Sequence, residues 1–95
     1  MRYINVLKRA SGSYLYSEGV VSVQPGDKLF KISIELPGKH TLASFKEHFA
    51  YDNFIVENKD GIPQKAFMFR EDAQEWKDDF EPNGFVRRLN LYREA

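Results

Sequence analysis

Two histidines, six carboxylates crowded between residues 71 and 81, and a run of aromatics are the side chains of this 95-residue chain that could do chemistry. A metal site or a general base asks more than the histidines offer. His40 follows Pro37-Gly38-Lys39, His48 adjoins Phe49, and neither has a second histidine three or four residues away or an Asp/Glu/Cys set at ligand spacing. The chain has no cysteine, which removes disulfides, thiolate chemistry and the common zinc sets together. Ser11-Gly12-Ser13 and Lys59-Asp60-Gly61 read as turns, because a phosphate loop needs a glycine-rich run with Lys-Ser/Thr opening a helix. The serines lack a nucleophile-elbow context and a base to activate them. The carboxylates Glu71, Asp72, Glu75, Asp78, Asp79 and Glu81 belong to one expected helix, whereas paired-acid catalysis needs one acid in an apolar pocket. The expectation is a non-enzymatic binding module with no catalytic residue, cofactor or metal.

Two surfaces are candidates for that binding. Residues 71–81 carry six acids against Lys77, so the formal net charge of zero is a cancellation between an acidic strip and a basic remainder. Glu75, Asp78, Asp79 and Glu81 lie off the Ala73–Trp76–Phe80 stripe or just past its end, and are expected to be exposed. Such a strip suits either a solvated face or a basic partner surface. The second candidate is aromatic. Tyr14 and Tyr16 share one side of an expected strand, and Tyr92 shares a face with Arg88 and Asn90. Tyrosine beside arginine on an exposed strand is what interfaces favour, although these tyrosines could equally fasten a hairpin to the domain.

The elements that would position these residues follow from turns and periodicity. Ser11-Gly12 joins Tyr3–Arg9 to Ser13–Ser17 as a β-hairpin, and Gly19 marks a bulge before Val20–Val23. Pro25-Gly26 is a type II turn dipeptide, after which Phe30, Ile32, Ile34 and Leu36 alternate with polar residues as a strand. Thr41 caps a helix burying Leu42, Phe45 and Phe49. Phe54–Val56 and Lys65–Arg70 flank a Lys59-Asp60-Gly61 hairpin loop. Asp72 and Glu75 have capping-box spacing for a second helix that buries Ala73, Trp76 and Phe80. Asn83-Gly84 leads into a last strand, Phe85–Tyr92. The two helices also match each other at an offset of 31, Thr41 with Asp72, Phe45 with Trp76 and Phe49 with Phe80.

From Lys28 on, the order is βαββαβ. The expected fold is therefore a single α+β domain over 1–95: a ferredoxin-like antiparallel sheet (28–95) with two short helices on one face, preceded by an N-terminal hairpin (1–24). The hairpin either lies at a sheet edge or joins residues 28–36 in a meander. Lys65-Ala66-Phe67-Met68-Phe69, a basic residue and a small residue followed by alternating aromatics, together with Phe30, resembles the RNA-recognition motif. That resemblance covers 28–95 and implies base stacking on Phe30, Phe67 and Phe69, with Lys65 on a phosphate. Phe30, however, is in phase with the buried Ile32 and Ile34, and a pI near 6.7 supplies no general phosphate attraction.

The leading expectation is thus a protein-binding regulator or inhibitor, a class that includes phage-encoded inhibitors of host machinery. Single-stranded nucleic-acid binding of RNA-recognition type is the alternative. The absence of cysteine, of an apolar leader in the first ten residues and of any long apolar run makes the cytoplasm the expected compartment and a membrane partner unexpected.

Overall fold

The computed structural model describes residues 3–16, 22–36 and 53–91. Strand β1, Tyr3–Lys8, turns Ile4 and Val6 inward and leaves Tyr3 and Asn5 exposed. A five-residue loop returns the chain as β2, Tyr14–Tyr16. The Gln24–Asp27 turn, closed by the Asp27 N–H donating to Gln24 O at 3.0 Å, then launches β3, Lys28–Glu35, with Ile32 and Ile34 buried as their alternation demands. Strands β4, Asn53–Glu57, and β5, Pro63–Phe67, form the expected hairpin. Helix α1, Arg70–Phe80, leads to β6, Phe85–Leu91.

These strands do not form an open sheet. They close into a six-stranded barrel in the order β1-β2-β6-β4-β5-β3, with β3 returning to β1. Two of the six pairings, β2 with β6 and β3 with β5, are parallel, so the barrel is mixed. The expected ferredoxin-like α+β sheet is thereby corrected. Strand β1 sits between β2 and β3, so the hairpin is part of the wall, neither an edge addition nor a meander. One helix is present among the described residues. The Thr41 helix, the Gly19 bulge and Tyr92 lie outside them. Residues 22–24 are not strand, and Val23 is exposed.

The pairings have an internal two-fold relation. Moving three places round the barrel carries β1, β2 and β3 onto β4, β5 and β6, with directions preserved. The register agrees along the strands up to Val56, after which a bulge shifts Glu57 onto Pro63. Ile4 opposite Ile32 corresponds to Asn53 opposite Leu89, and Val6 opposite Tyr16 to Ile55 opposite Ala66. Leu15 opposite Asn90 corresponds to Lys65 opposite Ser33. The turns match as well. In the first hairpin the Arg9 N–H donates to Ser13 O and the Gly12 N–H to Arg9 O; in the second the Asn58 N–H donates to Ile62 O and the Gly61 N–H to Asn58 O. Gly12 and Gly61 hold φ of +97° and +76°, a region costly for other residues. The Gln24–Asp27 turn recurs as Glu81–Gly84. The offset-31 match, by contrast, places Phe85 on Phe54, which lie in adjacent antiparallel strands. It reflects shared amphipathic spacing.

Ile4, Val6, Tyr14, Tyr16, Ile32, Ile34, Ile55, Ala66, Met68 and Leu89 form one buried cluster of the core. A second, smaller cluster joins Val56, Phe67 and Ala73, with Phe54, Trp76 and Val86 packed against it. Helix α1 touches β4, β5 and β6, so consecutive residues Ile55 and Val56 are both buried, one in each cluster. The helix starts earlier than the capping-box spacing predicts: Phe69, extended and without a side-chain cap, precedes it, and Asp72 lies inside the first turn with Glu71. Those acids favour the positive end of the helix dipole. The Glu81 N–H closes the last turn on Lys77 O, and Pro82 cannot continue the helix. The Ala73–Trp76–Phe80 stripe is buried only at its start. Trp76 is half-buried and Phe80 is 65% exposed.

Candidate functional site

Closure of the barrel redistributes the residues singled out from the sequence. Tyr14 and Tyr16, candidates for an exposed binding face, are 1% and 3% exposed and belong to the core. Arg88 is exposed on β6, whereas Tyr14 and Tyr16 face inward, so the expected tyrosine–arginine surface is not formed by them. The open platform implied by the RNA-recognition resemblance does not exist either. Phe67 is buried at 1%, with its ring 5.9 Å from that of Trp76, whereas Phe69 precedes the helix and is exposed. Phe30 is half-buried against the core. Lys65 Nζ lies 5.8 Å from the centroids of both Phe67 and Trp76, so its cation is engaged with aromatic faces within the protein.

Three of the four carboxylates of the acidic strip are exposed as expected, and Glu81 is not. Glu75, Asp78 and Asp79 are exposed on α1, and Glu81 is half-buried at its end. Lys77, the one basic residue among them, lies 3.6 Å from Asp78 and donates to Pro82 O. Gln74 Nε2 donates to Asp78 Oδ1 at 3.0 Å. Beside the strip is a notch of about 200 Å³, lined by Trp76 and Phe80 and by four carboxylates, Glu35, Asp72, Glu75 and Asp79. The Trp76 and Phe80 rings lie 5.2 Å apart, tilted at 34°. Glu35 comes from β3 and is loosely paired, at 3.9 Å, with Lys65. The expected interaction residues of α1 are thus joined by an aromatic pair that the sequence assigned to the core. The only sequence sign of this was that Phe80 stands at the last position of the helical stripe, where packing support runs out.

A second constellation occupies one end of the barrel. Strand directions bring the Arg9–Ser13 and Asn58–Ile62 loops and the Gln24–Asp27 and Glu81–Gly84 turns together there. Lys8 and Glu57, equivalent positions in the two halves, meet at this mouth as an ion pair of 3.1 Å. Glu57 is 3% exposed and accepts from three donors: the Tyr14 hydroxyl, Lys8 Nζ, and Arg87 Nε at 2.9 Å. Lys8 also donates to Gly61 O at 2.6 Å. Burial alone would raise the Glu57 carboxyl, but the hydrogen bonds from Tyr14, Arg87 and Lys8 outweigh it and hold the group below the usual carboxylate range. The Tyr14 hydroxyl is pushed far above its ordinary value, first by burial and then by donating to the charged Glu57. At the same end Asp27 is held below its ordinary value, chiefly by the Gln24 N–H and also by Arg9, whose Nη1 lies 2.5 Å from Asp27 Oδ2. Sequence reasoning singled out Tyr14 but none of the groups it joins here. Glu57 stands 30 to 49 residues from the three donors on its carboxylate, and no local pattern announces them.

Among the described residues no group of His, Cys, Asp and Glu could hold a metal ion, and no helix is long and apolar enough to cross a membrane. Comparison with protein-family models, with curated proteins and with solved structures finds no match to this chain.

Proposed function

We propose that this chain is a protein-interaction module that takes a lysine or arginine side chain of a basic partner segment into the Trp76–Phe80 notch. The observation that carries this reading is the lining of the notch, two aromatics and four carboxylates. Aromatic faces attract cations, by about 0.5–2 kcal/mol according to desolvation. Carboxylates at the edge add long-range attraction that acts mainly on the association rate. Phe80, 65% exposed beside Trp76, is the kind of aromatic anchor around which interface energy concentrates. Lys65 already lies over the Trp76 ring, an internal instance of the same recognition.

Trp76 is the only tryptophan in the chain, so its emission reports on this site. Titration with an arginine-rich peptide should change that emission saturably, with an affinity that falls steeply as salt is added. Phe80→Ala should weaken the peptide about tenfold with little change in melting temperature, the loss of a cation–aromatic contact and its packing. Replacing Asp78 and Asp79 by Lys should leave the fold intact, since it relieves like-charge repulsion along the helix, and should slow association. A peptide that binds Phe80→Ala and the charge-reversed variant as well as it binds the wild type would overturn the reading.

A further inference from the structure

The mouth of the barrel carries a feature that protein docking at α1 does not use: two clefts related by the internal two-fold. The larger, of about 420 Å³, is lined by Lys59, Arg87 and Phe85 together with Ser11, Gly12 and the buried Glu57. The smaller, of about 250 Å³, is lined by Lys28 and Phe30 together with Asp60, Gly61 and Lys8. Under the correspondence of the strands Lys28 falls on Phe85, Phe30 on Arg87, Gly61 on Gly12 and Lys8 on Glu57. Each cleft therefore offers one cation and one phenylalanine two residues apart on the same strand face, in opposite order.

We infer that this duplicated mouth binds nucleoside phosphates, with Arg87 and Lys59 on the phosphate and Phe85 against the base. Three observations support the assignment. Arg87 spends only its Nε on Glu57, while its side chain remains 53% exposed, so an anchored guanidinium presents its other edge outward. A planar fork fixed in this way matches phosphate oxygens. Lys59 is exposed on the adjoining loop, and Asp60 is the one exposed carboxylate in the lining. Glu57 is already saturated by Tyr14, Lys8 and Arg87, and with Lys8, Lys59 and Arg87 against Glu57 and Asp60 the cleft remains net positive. Finally, Phe85 is 46% exposed, and the Arg87 guanidinium carbon stands over its ring, 5.0 Å from the centroid, in a cation–aromatic contact. A guanidinium plane layered on an aromatic ring is itself a surface on which a base stacks. The volume of the larger cleft suits a small ligand. This site shares neither residues nor geometry with the strand platform of an RNA-recognition motif.

A mononucleotide or a nucleotide within a single strand would present the same chemistry. Calorimetric titrations of the whole chain with ATP, with inorganic phosphate and with a single-stranded deoxythymidine oligomer, at low ionic strength, separate the sources. ATP or the oligomer should bind saturably, with shifts in the amide signals of Gly12 and Gly61. Lys59→Gln should weaken both phosphate and ATP. Phe85→Ala should weaken ATP or the oligomer about fivefold or more, the loss of one stacking contact, and leave inorganic phosphate unchanged. Both substitutions are at exposed positions, so the test does not depend on Arg87, whose loss would also disturb Glu57. Tight binding of the oligomer with weak binding of ATP assigns the site to nucleic acid; the reverse assigns it to a free nucleotide. Binding of neither, or affinities that Lys59→Gln and Phe85→Ala both leave unchanged, overturns the inference.

Discussion

Gly84→Ala is expected to destabilise the domain by about 3 kcal/mol or more, a large fraction of the stability of a chain this size. A Cβ at Gly84 would stand 2.0 Å from Glu57 O and 3.1 Å from Glu81 O. Both are backbone atoms and cannot rotate aside. Glu57 is held by its pairing with Phe85 in β6 and by the three donors on its carboxylate, so relief would require opening the barrel wall. Gly12→Ala is the informative contrast. Its added Cβ would meet nothing within 4 Å, and only its φ of +97° opposes the change, a backbone cost of roughly 1–3 kcal/mol. Urea denaturation should therefore rank Gly84→Ala well below Gly12→Ala. Equal midpoints for the two would mean that the turn into β6 yields easily and that the close approach to Glu57 is not a constraint.

Glu57→Gln is the second large effect. The substitution keeps shape but leaves Lys8 and Arg87 facing a neutral amide at the barrel mouth, and removing one partner of a buried ion pair costs about 3–5 kcal/mol. Arg87 is half-exposed and can recover hydration, which puts the expected loss near the lower figure. The pH dependence has a definite sign. Because the folded state holds Glu57 below its ordinary value, its contribution is complete above about pH 4.3, where the unfolded carboxylate is ionised, and is lost as pH falls through the lower folded value. Tyr14 works at the other limb. Its raised value means that its contribution is complete below about pH 10 and is lost as pH rises above that. Stability measured against pH should show a smaller acid decline in Glu57→Gln than in the wild type. Tyr14→Phe should flatten the alkaline limb. An acid limb of unchanged depth in Glu57→Gln would show that the carboxylate does not govern it.

Much of the local structure is legible in the residues. The alternation about Ile32 and Ile34, the Lys59–Gly61 hairpin and the Asn83-Gly84 entry to β6 all lie where periodicity and turn chemistry put them. The architecture is not legible, because strand order carries no mark of whether a sheet stays open or closes. Closure depends on β2 pairing with β6 and β3 with β5, contacts between distant segments that leave no local trace. Tyr14 and Tyr16 are the clearest instance. Their shared side was readable, but only a closed wall makes that side an interior. The internal two-fold relation was hidden for another reason. Lys8 corresponds to Glu57, Tyr16 to Ala66 and Ile32 to Leu89, so the spacing differs from strand to strand and the residue types diverge. Backbone hydrogen bonds in the turns match where the side chains do not. At α1 the exposure of Glu75, Asp78 and Asp79 was legible because they lie off the apolar stripe, whereas Phe80 belongs to the stripe and is nonetheless open to solvent.

The two parallel pairings also govern how the chain reaches its native state. Each joins one half of the duplication to the other, so neither half can complete its own wall, and the β2–β6 contact must bring Tyr14 to Leu89 across most of the polypeptide. During synthesis β1, β2 and β3 emerge first, and β2 then has an unpaired edge until β6 arrives. An exposed edge in a partly made barrel invites pairing with another chain. Contacts this distant in sequence place folding in the slow regime of β topologies, roughly milliseconds to seconds. Conditions that delay the arrival of β6 should therefore reduce the yield of folded protein.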